Sequence, residues 1–274
     1  MTIWIVTVNF GDTKSTEQLI DSLSVVNNLK STKIIIADNA SSFSSRSGLE
    51  QIIKKSFLDI KIFSYKKNLY YWPAINKVIK SLKTKFGTYP DWIIVCNNDI
   101  TFSDKNLFEK LSKIDTKKFP IVGPTIINSD GKHLNPFMLA SLSKWQRFFW
   151  RCYFFSYPLS IILLMIKKLL DFFILKSNQE KISANKSVYA VHGSAIFFSN
   201  HFFNMGGWFD ENFELYGEEL TVAEIAKKLN IPVTYFPELE VTHHEHTSTK
   251  SINKRKLFYK AKKSHQYFES TYLK

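Results

Sequence analysis

Cysteine is scarce in this chain, and its scarcity limits the compartment in which the protein works. Among 274 residues only Cys96 and Cys152 carry thiols, which is too few for a disulfide framework. Cys96 also ends an apolar run, Trp92–Cys96, that predicts a buried strand. The N-terminus lacks the basic segment of a cleaved secretory signal. We therefore expect a cytoplasmic protein in a reducing environment.

Acidic residues are outnumbered, and the imbalance favours an anionic partner. The chain has 37 Lys and Arg against 24 Asp and Glu, for a net charge of +13. Nucleic acid, an anionic membrane surface and phosphorylated substrates all fit such a charge. The sequence has no RNA-recognition, homeodomain or zinc-finger pattern, which argues against nucleic acid. Apolar residues make up 45%, which is enough for a large core and excludes a disordered protein.

The chain lacks a comfortable membrane span, although residues 145–175 are strongly apolar and aromatic. The uncharged part, Cys152–Ile166, is too short to span a membrane comfortably, because a span takes roughly 20 apolar residues. Its surroundings carry basic and aromatic side chains that suit lipid headgroups: Arg147, Arg151, Lys167, Lys168, Trp145, Trp150 and Tyr153. We expect an interfacial helix pair on the membrane surface. A helix packed in the core or a dimer interface, and a true span, are the alternatives.

The first half of the chain alternates predicted strands and helices. The strands are Ile3–Val8, Lys33–Ala37, Ile60–Ser64, Trp92–Cys96 and Ile121–Gly123. Such alternation predicts a parallel sheet covered by helices, an α/β fold. Because right-handed crossovers bring the strand ends to one edge, Asn9, Asp38 and Asp99 should converge there.

The second half begins with a polar linker, Lys176–Lys186, and resumes the alternation. We expect a strand at Val188–Phe198, a helix at Glu218–Lys228 and a strand at Val233–Phe236. The basic tail from Lys250 predicts a further helix.

Two clusters of polar residues carry candidate chemistry. Asn97, Asn98 and Asp99 follow a buried strand, where a carboxylate beside amides suits a hard divalent cation that also holds phosphates. The plainer interpretation is a turn. In His243-His-Glu-His246, an extended backbone would place His243 and Glu245 on one face. This spacing does not match a His-Glu-x-x-His zinc site.

Four motifs together resemble the family 2 glycosyltransferases, from Ile3 to about Ser248. They are Ile5-Val-Thr-Val-Asn-Phe10, Ile34-Ile-Ile-Ala-Asp-Asn-Ala-Ser-Ser42, Asn97-Asn-Asp99, and the pair Gly206-Gly-Trp-Phe-Asp-Glu211 with Tyr216-Gly-Glu-Glu219. The likeness extends to bacterial rhamnosyltransferase-like, O-antigen and capsule enzymes.

The resemblance implies a GT-A fold, a Rossmann-like and mostly parallel sheet with covering helices. Residues 1–248 would form the glycosyltransferase domain, with a nucleotide-binding half at 1–125 and an acceptor-side half at 187–248. A hydrophobic helical insertion would occupy 140–176, and a basic helical tail 249–274.

The resemblance also implies roles for individual residues. Contacts to a UDP-, dTDP- or GDP-sugar would come from Val8, Asn9, Asp38, Asn68, Asn76, Asn97 and Asn98. The acceptor side would use Trp208, Asp210 and Glu211.

A divalent cation, Mn²⁺ or Mg²⁺, would be held by Asp99 and His243, with His244 as second choice. Glu219 would be the catalytic base, with Glu218 as its neighbouring candidate. Each of these residues also has a plainer interpretation. Asp38 would form a turn or a helix cap, the glutamates would be acidic residues that favour a helix N-terminus, and the histidines would be surface residues without a role.

The implied activity is inverting transfer of one sugar to a lipid-linked glycan for a bacterial surface polysaccharide, such as O-antigen or capsule. The protein would be peripheral on the inner face of the cell membrane, with a homodimer as a further option. A nucleotidyltransferase and a non-catalytic nucleotide-sugar-binding protein are the rival hypotheses. The segment Asn68–Asn76 lacks the glycines that relatives carry, and the metal motif has one Asp, which leaves donor choice and metal dependence open.

Overall fold

A computed structural model describes residues 1–11, 13–173, 182–213, 216–245 and 253–273, apart from the side chains of 168–173. His246, the start of the predicted tail, most of the predicted linker and the Lys168 side chain lie outside this description. The strands within it are β1 (Ile3–Asn9), β2 (Thr32–Asn39), β3 (Ile60–Tyr65), β4 (Trp92–Cys96), β5 (Ile100–Thr101), β6 (Ile121–Asn128), β7 (Lys186–Val188), β8 (Ala195–Ser199) and β9 (Val233–His243).

These strands form one sheet in the order β3-β2-β1-β4-β8-β6-β9-β5, with β7 paired to β9. Strands β1, β2, β3, β4, β6 and β9 run in one direction, and β5, β7 and β8 run in the other. The prediction of a mostly parallel α/β sheet is therefore confirmed.

Helices cover both faces of the sheet. The described helices are α1 (Lys14–Ser24), α2 (Phe43–Lys55), α3 (Tyr71–Phe86), α4 (Leu107–Ser112), α5 (Lys144–Tyr153), α6 (Tyr157–Phe173), α7 (Asn200–Asn204), α8 (Glu218–Lys228) and α9 (Lys254–Tyr272). Side chains alternate along β1, so that Trp4 and Val6 pack under α3 and α8 while Ile3 and Ile5 pack under α1 and α4. The two apolar cores lie on opposite faces of one sheet.

The predicted strand Val188–Phe198 is wrong as a single element. It consists of β7 and β8, which are separated by a loop at residues 189–194. The loop packs so closely on β6 that a Cβ at Gly123 would lie 2.3 Å from Val191 Cγ1. Strand β8 then inserts antiparallel between β4 and β6. The triplet His192-Gly193-Ser194 interrupts the apolar run at this loop, and the prediction of one continuous strand overlooked that signal.

The apolar segment forms two surface helices, as expected, and they pack against the C-terminal helix. Helix α5 has no fully buried side chain. Arg151 pairs with Glu269 of α9 at 2.8 Å, and the Phe154 and Phe258 rings lie 5.8 Å apart. In the part of the chain that the structure describes, no helix is both long and apolar enough to cross a membrane.

A buried carboxylate fixes the other end of α9. The Oδ2 atom of Asp210 accepts hydrogen bonds from the hydroxyls of Tyr267 at 3.0 Å and Tyr272 at 2.7 Å. Its Oδ1 atom accepts from the backbone and side-chain amides of Asn212. Asp210 is thus fully engaged in joining α9 to the loop that precedes α8.

We expect Tyr272→Phe to lower the free energy of unfolding by about 1.5–3 kcal/mol, because a hydrogen bond to a buried carboxylate is lost. Urea unfolding followed by circular dichroism measures the change. Tyr259→Phe is the matched control on the same helix, since its ring is 48% exposed, and it should change stability by less than about 0.5 kcal/mol. Equal effects of the two substitutions would contradict the anchoring role of Asp210.

Candidate functional site

Asp38 lies at the carboxyl end of β2, where a ligand could reach it from the cleft. Its register partner on β1 is Asn9. The Asp38 carboxylate is fully buried, and neither oxygen accepts a hydrogen bond from the described residues. The nearest cationic atom is Arg46 Nε, 3.5 Å from Oδ2. Because a buried carboxylate without donors is unfavourable, the geometry suits a ligand that supplies N–H or O–H groups.

Asn9 and Asn98 meet at the same edge through a shared threonine. Thr16 Oγ1 donates to Asn9 Oδ1 at 2.7 Å and accepts from Asn98 Nδ2 at 3.1 Å. Asn9 Nδ2 in turn donates to Ser41 Oγ at 3.1 Å. This chain of hydrogen bonds holds the ends of β1 and β4 in register, and Val8 precedes it on β1.

The segment before α3 is held by Asn39, which the sequence analysis did not single out. Asn39 Nδ2 donates to the Tyr70 carbonyl at 2.8 Å, and its Oδ1 accepts from the Leu69 amide at 3.1 Å. Asn68 closes a local turn by accepting from the Tyr70 amide at 2.8 Å. Asn76 lies elsewhere, because it donates to the Phe209 carbonyl and to the Glu211 carboxylate.

Tyr70 occupies a backbone conformation that normally requires glycine. Its φ of 64° and ψ of −164° are unfavourable for a residue with a Cβ. Lys260 of α9 donates to the Tyr70 hydroxyl at 3.1 Å and places its Nζ 4.6 Å from the ring centre. Contacts from α9 therefore compensate the strain at this position.

Asp99 and His243 form the candidate cation centre. Asp99 Oδ1 lies 3.1 Å from His243 Nε2, and both residues are buried. Apart from this contact, Asp99 Oδ1 and His243 Nδ1 have no hydrogen-bond partner among the described residues. His244 points away, because its Nε2 lies 2.9 Å from Thr101 Oγ1. His243 is therefore placed for the role, and Asn97 Nδ2 lies 3.5 Å from its Nε2.

This pair fits a divalent cation only as a partial ligand set. The described residues contain no group of three His, Cys, Asp or Glu side chains that could hold an ion. A carboxylate and an imidazole with unsatisfied polar atoms nevertheless match the ligands of Mn²⁺. The remaining ligands would have to come from substrate oxygens or water.

Glu219 is fixed at the start of α8 by a glycine loop. Its Oε1 accepts from the Gly193 amide at 3.2 Å. A Cβ at Gly193 would lie 2.8 Å from the same oxygen, so glycine allows the approach. The loop that interrupts the predicted strand is therefore the element that positions this carboxylate.

Glu218 differs from Glu219 in protonation. Burial, followed by the neighbouring Glu219 charge, raises the pKa of Glu218 to about 8. Hydrogen bonds from the backbone amides of Glu218 and Tyr216 oppose this rise without cancelling it. Glu218 therefore keeps its proton at neutral pH, which leaves Glu219 as the better candidate for a base.

His192 and Tyr71 are site residues that the sequence analysis missed. The His192 ring centre lies 6.0 Å from that of His243, and its Nδ1 lies 2.9 Å from Ser194 Oγ. Burial lowers the pKa of His192, against the opposing charge of Glu219. The hydroxyl of Tyr71 is buried without a hydrogen-bond partner among the described residues. Burial raises the pKa of Tyr71, and the charges of Glu218 and Asp99 raise it further.

The three acceptor-side residues lie together, but two of them are engaged within the protein. Asp210 anchors α9, and Glu211 binds Asn76 and Lys80, the latter at 2.7 Å. Trp208 is 36% exposed, with Lys228 Nζ 5.6 Å from its ring centre. These residues line a surface cavity of about 490 Å³.

Comparison with known proteins supports one family. The sequence model described as Glycosyl transferase family 2 matches residues 3–165. The N-acetylglucosaminyl-diphospho-decaprenol L-rhamnosyltransferase of Mycobacterium tuberculosis is 22% identical over 265 residues, covering 89% of this chain and 76% of that protein.

Solved structures show the fold alone. Residues 1–349 of S. aureus TarS superpose with a TM-score of 0.57 at 11% identity, covering 89% of this chain and 61% of that one. This chain therefore spans about three fifths of that solved fragment. The mannosyltransferase PcManGT from Pyrobaculum calidifontis, in complex with GDP-Man and Mn²⁺, superposes with a TM-score of 0.57 at 11% identity. The match covers 97% of this chain and 69% of that one. The fold is GT-A, as expected.

We expect Glu218→Gln to raise the melting temperature at pH 8 and to have a smaller effect near pH 5. With a folded-state pKa near 8 against an ordinary value of 4.5, the native protein binds more protons than the unfolded chain between these limits. Wild-type stability therefore falls as pH rises through this window, and glutamine removes the dependence. Thermal unfolding at several pH values measures it, with exposed Glu50→Gln as control. If the difference in melting temperature between Glu218→Gln and wild type did not change with pH, the raised pKa of Glu218 would be contradicted.

Proposed function

This chain belongs to glycosyl transferase family 2, and we propose that it transfers one sugar from a nucleotide-sugar to a lipid-linked glycan. The observation that carries the proposal is the placement of Glu219 on the Gly193 loop. In that loop the His192 ring lies near the His243 ring, and the Ser194 carbonyl accepts a hydrogen bond from the backbone amide of Asn97, two residues before Asp99. A candidate base and a candidate diphosphate site thus lie on neighbouring elements of one cleft.

The donor would bind along the carboxyl edge of β1, β2 and β4. The buried Asp38 carboxylate would accept hydrogen bonds from a base N–H or a ribose hydroxyl. Asp99 and His243 would hold a divalent cation, Mn²⁺ or Mg²⁺, next to the diphosphate. Such a cation neutralises charge on the diphosphate and acts as a Lewis acid toward the leaving group. PcManGT with GDP-Man and Mn²⁺ is one structural neighbour with this combination of ligands.

The proposed reaction is a direct displacement with inversion at the sugar carbon. The acceptor hydroxyl oxygen attacks the anomeric carbon while its proton moves to the Glu219 carboxylate. The bond from that carbon to the nucleoside diphosphate oxygen breaks, and the nucleoside diphosphate leaves with the bonding electrons. Protonated Glu218 adds no second negative charge beside Glu219, which keeps Glu219 available as the base.

We propose a lipid-linked acceptor in bacterial surface polysaccharide synthesis, such as O-antigen or capsule, at the inner face of the membrane. The mycobacterial relative is named for a diphospho-decaprenol acceptor. Helix α5 exposes Trp145 and Phe148, the turn before α6 exposes Phe155, and α5 also carries the basic Arg151. Exposed aromatic and basic side chains suit an anionic interface. A second copy of the chain is the alternative occupant of this face.

We expect nucleoside diphosphate release from one member of a panel of UDP-, GDP- and dTDP-sugars with Mn²⁺ or Mg²⁺ and lipid extract. Glu219→Gln should reduce the rate by about 10²–10⁴-fold, because the base is lost. Asp99→Ala should also abolish release. Glu218→Gln is the matched control and should retain activity at pH 7, since an amide resembles the protonated carboxyl.

Other outcomes of this assay identify the rivals. Pyrophosphate release would indicate a nucleotidyltransferase. Donor binding without turnover, with every variant equally silent, would indicate a non-catalytic nucleotide-sugar-binding protein, a possibility to which Asn97 in the motif lends some weight.

We expect the protein to float with liposomes that contain anionic lipid and to remain unbound with neutral ones. The double substitution Trp145→Ser with Phe148→Ser should weaken flotation, because two exposed rings are lost. Phe57→Ser, which alters an exposed ring outside α5 and α6, is the control. Unchanged flotation of the double variant, or a dimer that is lost in that variant, would contradict membrane binding by this face.

A further inference from the structure

A groove of about 600 Å³ runs between α6 and α9, apart from the cleft that holds Asp38 and Asp99. Its walls are mainly apolar and aromatic: Tyr153, Tyr157, Ile161, Leu164, Met165, Leu257, Phe258 and Ala261. Ser160, Tyr216 and Lys254 complete the lining. A volume of this size lies within the range of roughly 300–1,000 Å³ that is usual for small-ligand sites.

One side of the groove borders the segment that leads into α8. Tyr216 lines the groove, and its backbone amide donates to the Glu218 carboxyl group. Tyr216 also adopts a positive φ of 66°, followed by Gly217 at 99°, so the chain turns sharply between the groove and α8. A molecule in the groove would therefore lie beside the segment that leads into α8, whose first two residues are Glu218 and Glu219.

The side of the groove formed by α6 is accessible from the surface. Ile161, Leu164 and Met165 line the groove, yet 41–61% of each residue is exposed. An apolar chain could therefore enter from this side without crossing a polar barrier. The same helix belongs to the face that we propose to contact the membrane.

The charge around the groove is positive. Lys254 lies in its wall, and helix α9 carries Arg255, Lys256 and Lys262 beside it. Helix α5 also carries Arg147 and Arg151, the latter paired with Glu269 of α9. An apolar groove with Lys254 in its wall, formed in part by a strongly basic helix, complements a ligand that has a hydrocarbon chain and a phosphate head.

We propose that this groove binds the polyprenyl chain of a diphosphate-linked acceptor, with the head of the lipid toward Tyr216. The inference rests on the proposed function, because sugar transfer requires the glycan end of such a lipid to lie beside Glu219. A groove of about 600 Å³ suits one methyl-branched polyprenyl chain better than the paired acyl chains of a phospholipid. The rings of Tyr153, Tyr157 and Phe258 offer flat surfaces to planar alkene units.

The test is photo-crosslinking with a benzophenone-tagged farnesyl diphosphate in detergent micelles, read by mass spectrometry of the labelled peptides. We expect labels on α6 and α9. Ala261→Trp, which fills the groove, and Leu164→Gln, which makes its wall polar, should each reduce labelling by about tenfold or more. Ile162→Gln is the matched control on the same helix, since Ile162 is 53% exposed and does not line the groove.

Competition distinguishes the proposed lipid from a general membrane surface. Undecaprenyl phosphate should displace the probe, and phosphatidylglycerol at the same concentration should not. Equal loss of labelling in Ile162→Gln and Leu164→Gln, equal displacement by both lipids, or labels outside α6 and α9 would overturn the proposal.

The probe carries no sugar, so its binding does not depend on sugar transfer. Labelling of the groove in a protein that releases no nucleoside diphosphate from any donor would refute the proposed function and not the site. Normal transfer to a lipid-linked acceptor without labelling of the groove would refute the site and not the function.

Discussion

The approach of the Glu219 side chain to the backbone of Gly193 is the constraint on which the site depends. It joins α8 to the loop before β8, and β8 pairs with β4, whose end carries Asn97, Asn98 and Asp99. A side chain at position 193 would displace the Glu219 carboxylate, because a Cβ there would lie 2.8 Å from its Oε1. The placement of the candidate base relative to the candidate diphosphate site therefore depends on this hydrogen bond and on strand pairing.

Much of the fold was predictable because its signal is local. Apolar runs that end in polar residues located β1 to β4, and the prediction of α8 over Glu218–Lys228 agrees with the structure. The short β5 depends on pairing with β9, far away in the chain, and the break between β7 and β8 was marked only by the triplet His192-Gly193-Ser194. The family prediction is also confirmed. It was possible because several motifs occur in the expected order, although each motif alone would be ambiguous.

The candidate site was less predictable, because a motif does not reveal what a side chain binds. Asp210 anchors α9, and Asn76 contacts Phe209 and Glu211, which only the tertiary structure can show. His192 and His243 are distant in sequence, and they lie close together because of where β8 and β9 are placed in the sheet. Buried atoms without partners, such as those of Asp38 and Tyr71, mark the site by their unfavourable solvation, a signal that requires coordinates.

Tyr70 and Lys260 have a consequence for how such a sequence can diverge. A tyrosine in a conformation reserved for glycine is tolerable while α9 is docked and Lys260 holds the ring. Loss of the helix contact would leave a strained loop, whereas a return to glycine would remove the ring that receives the lysine. The two positions are thus coupled across 190 residues of sequence and should change together, so that the C-terminal helix and the loop before α3 evolve as one unit.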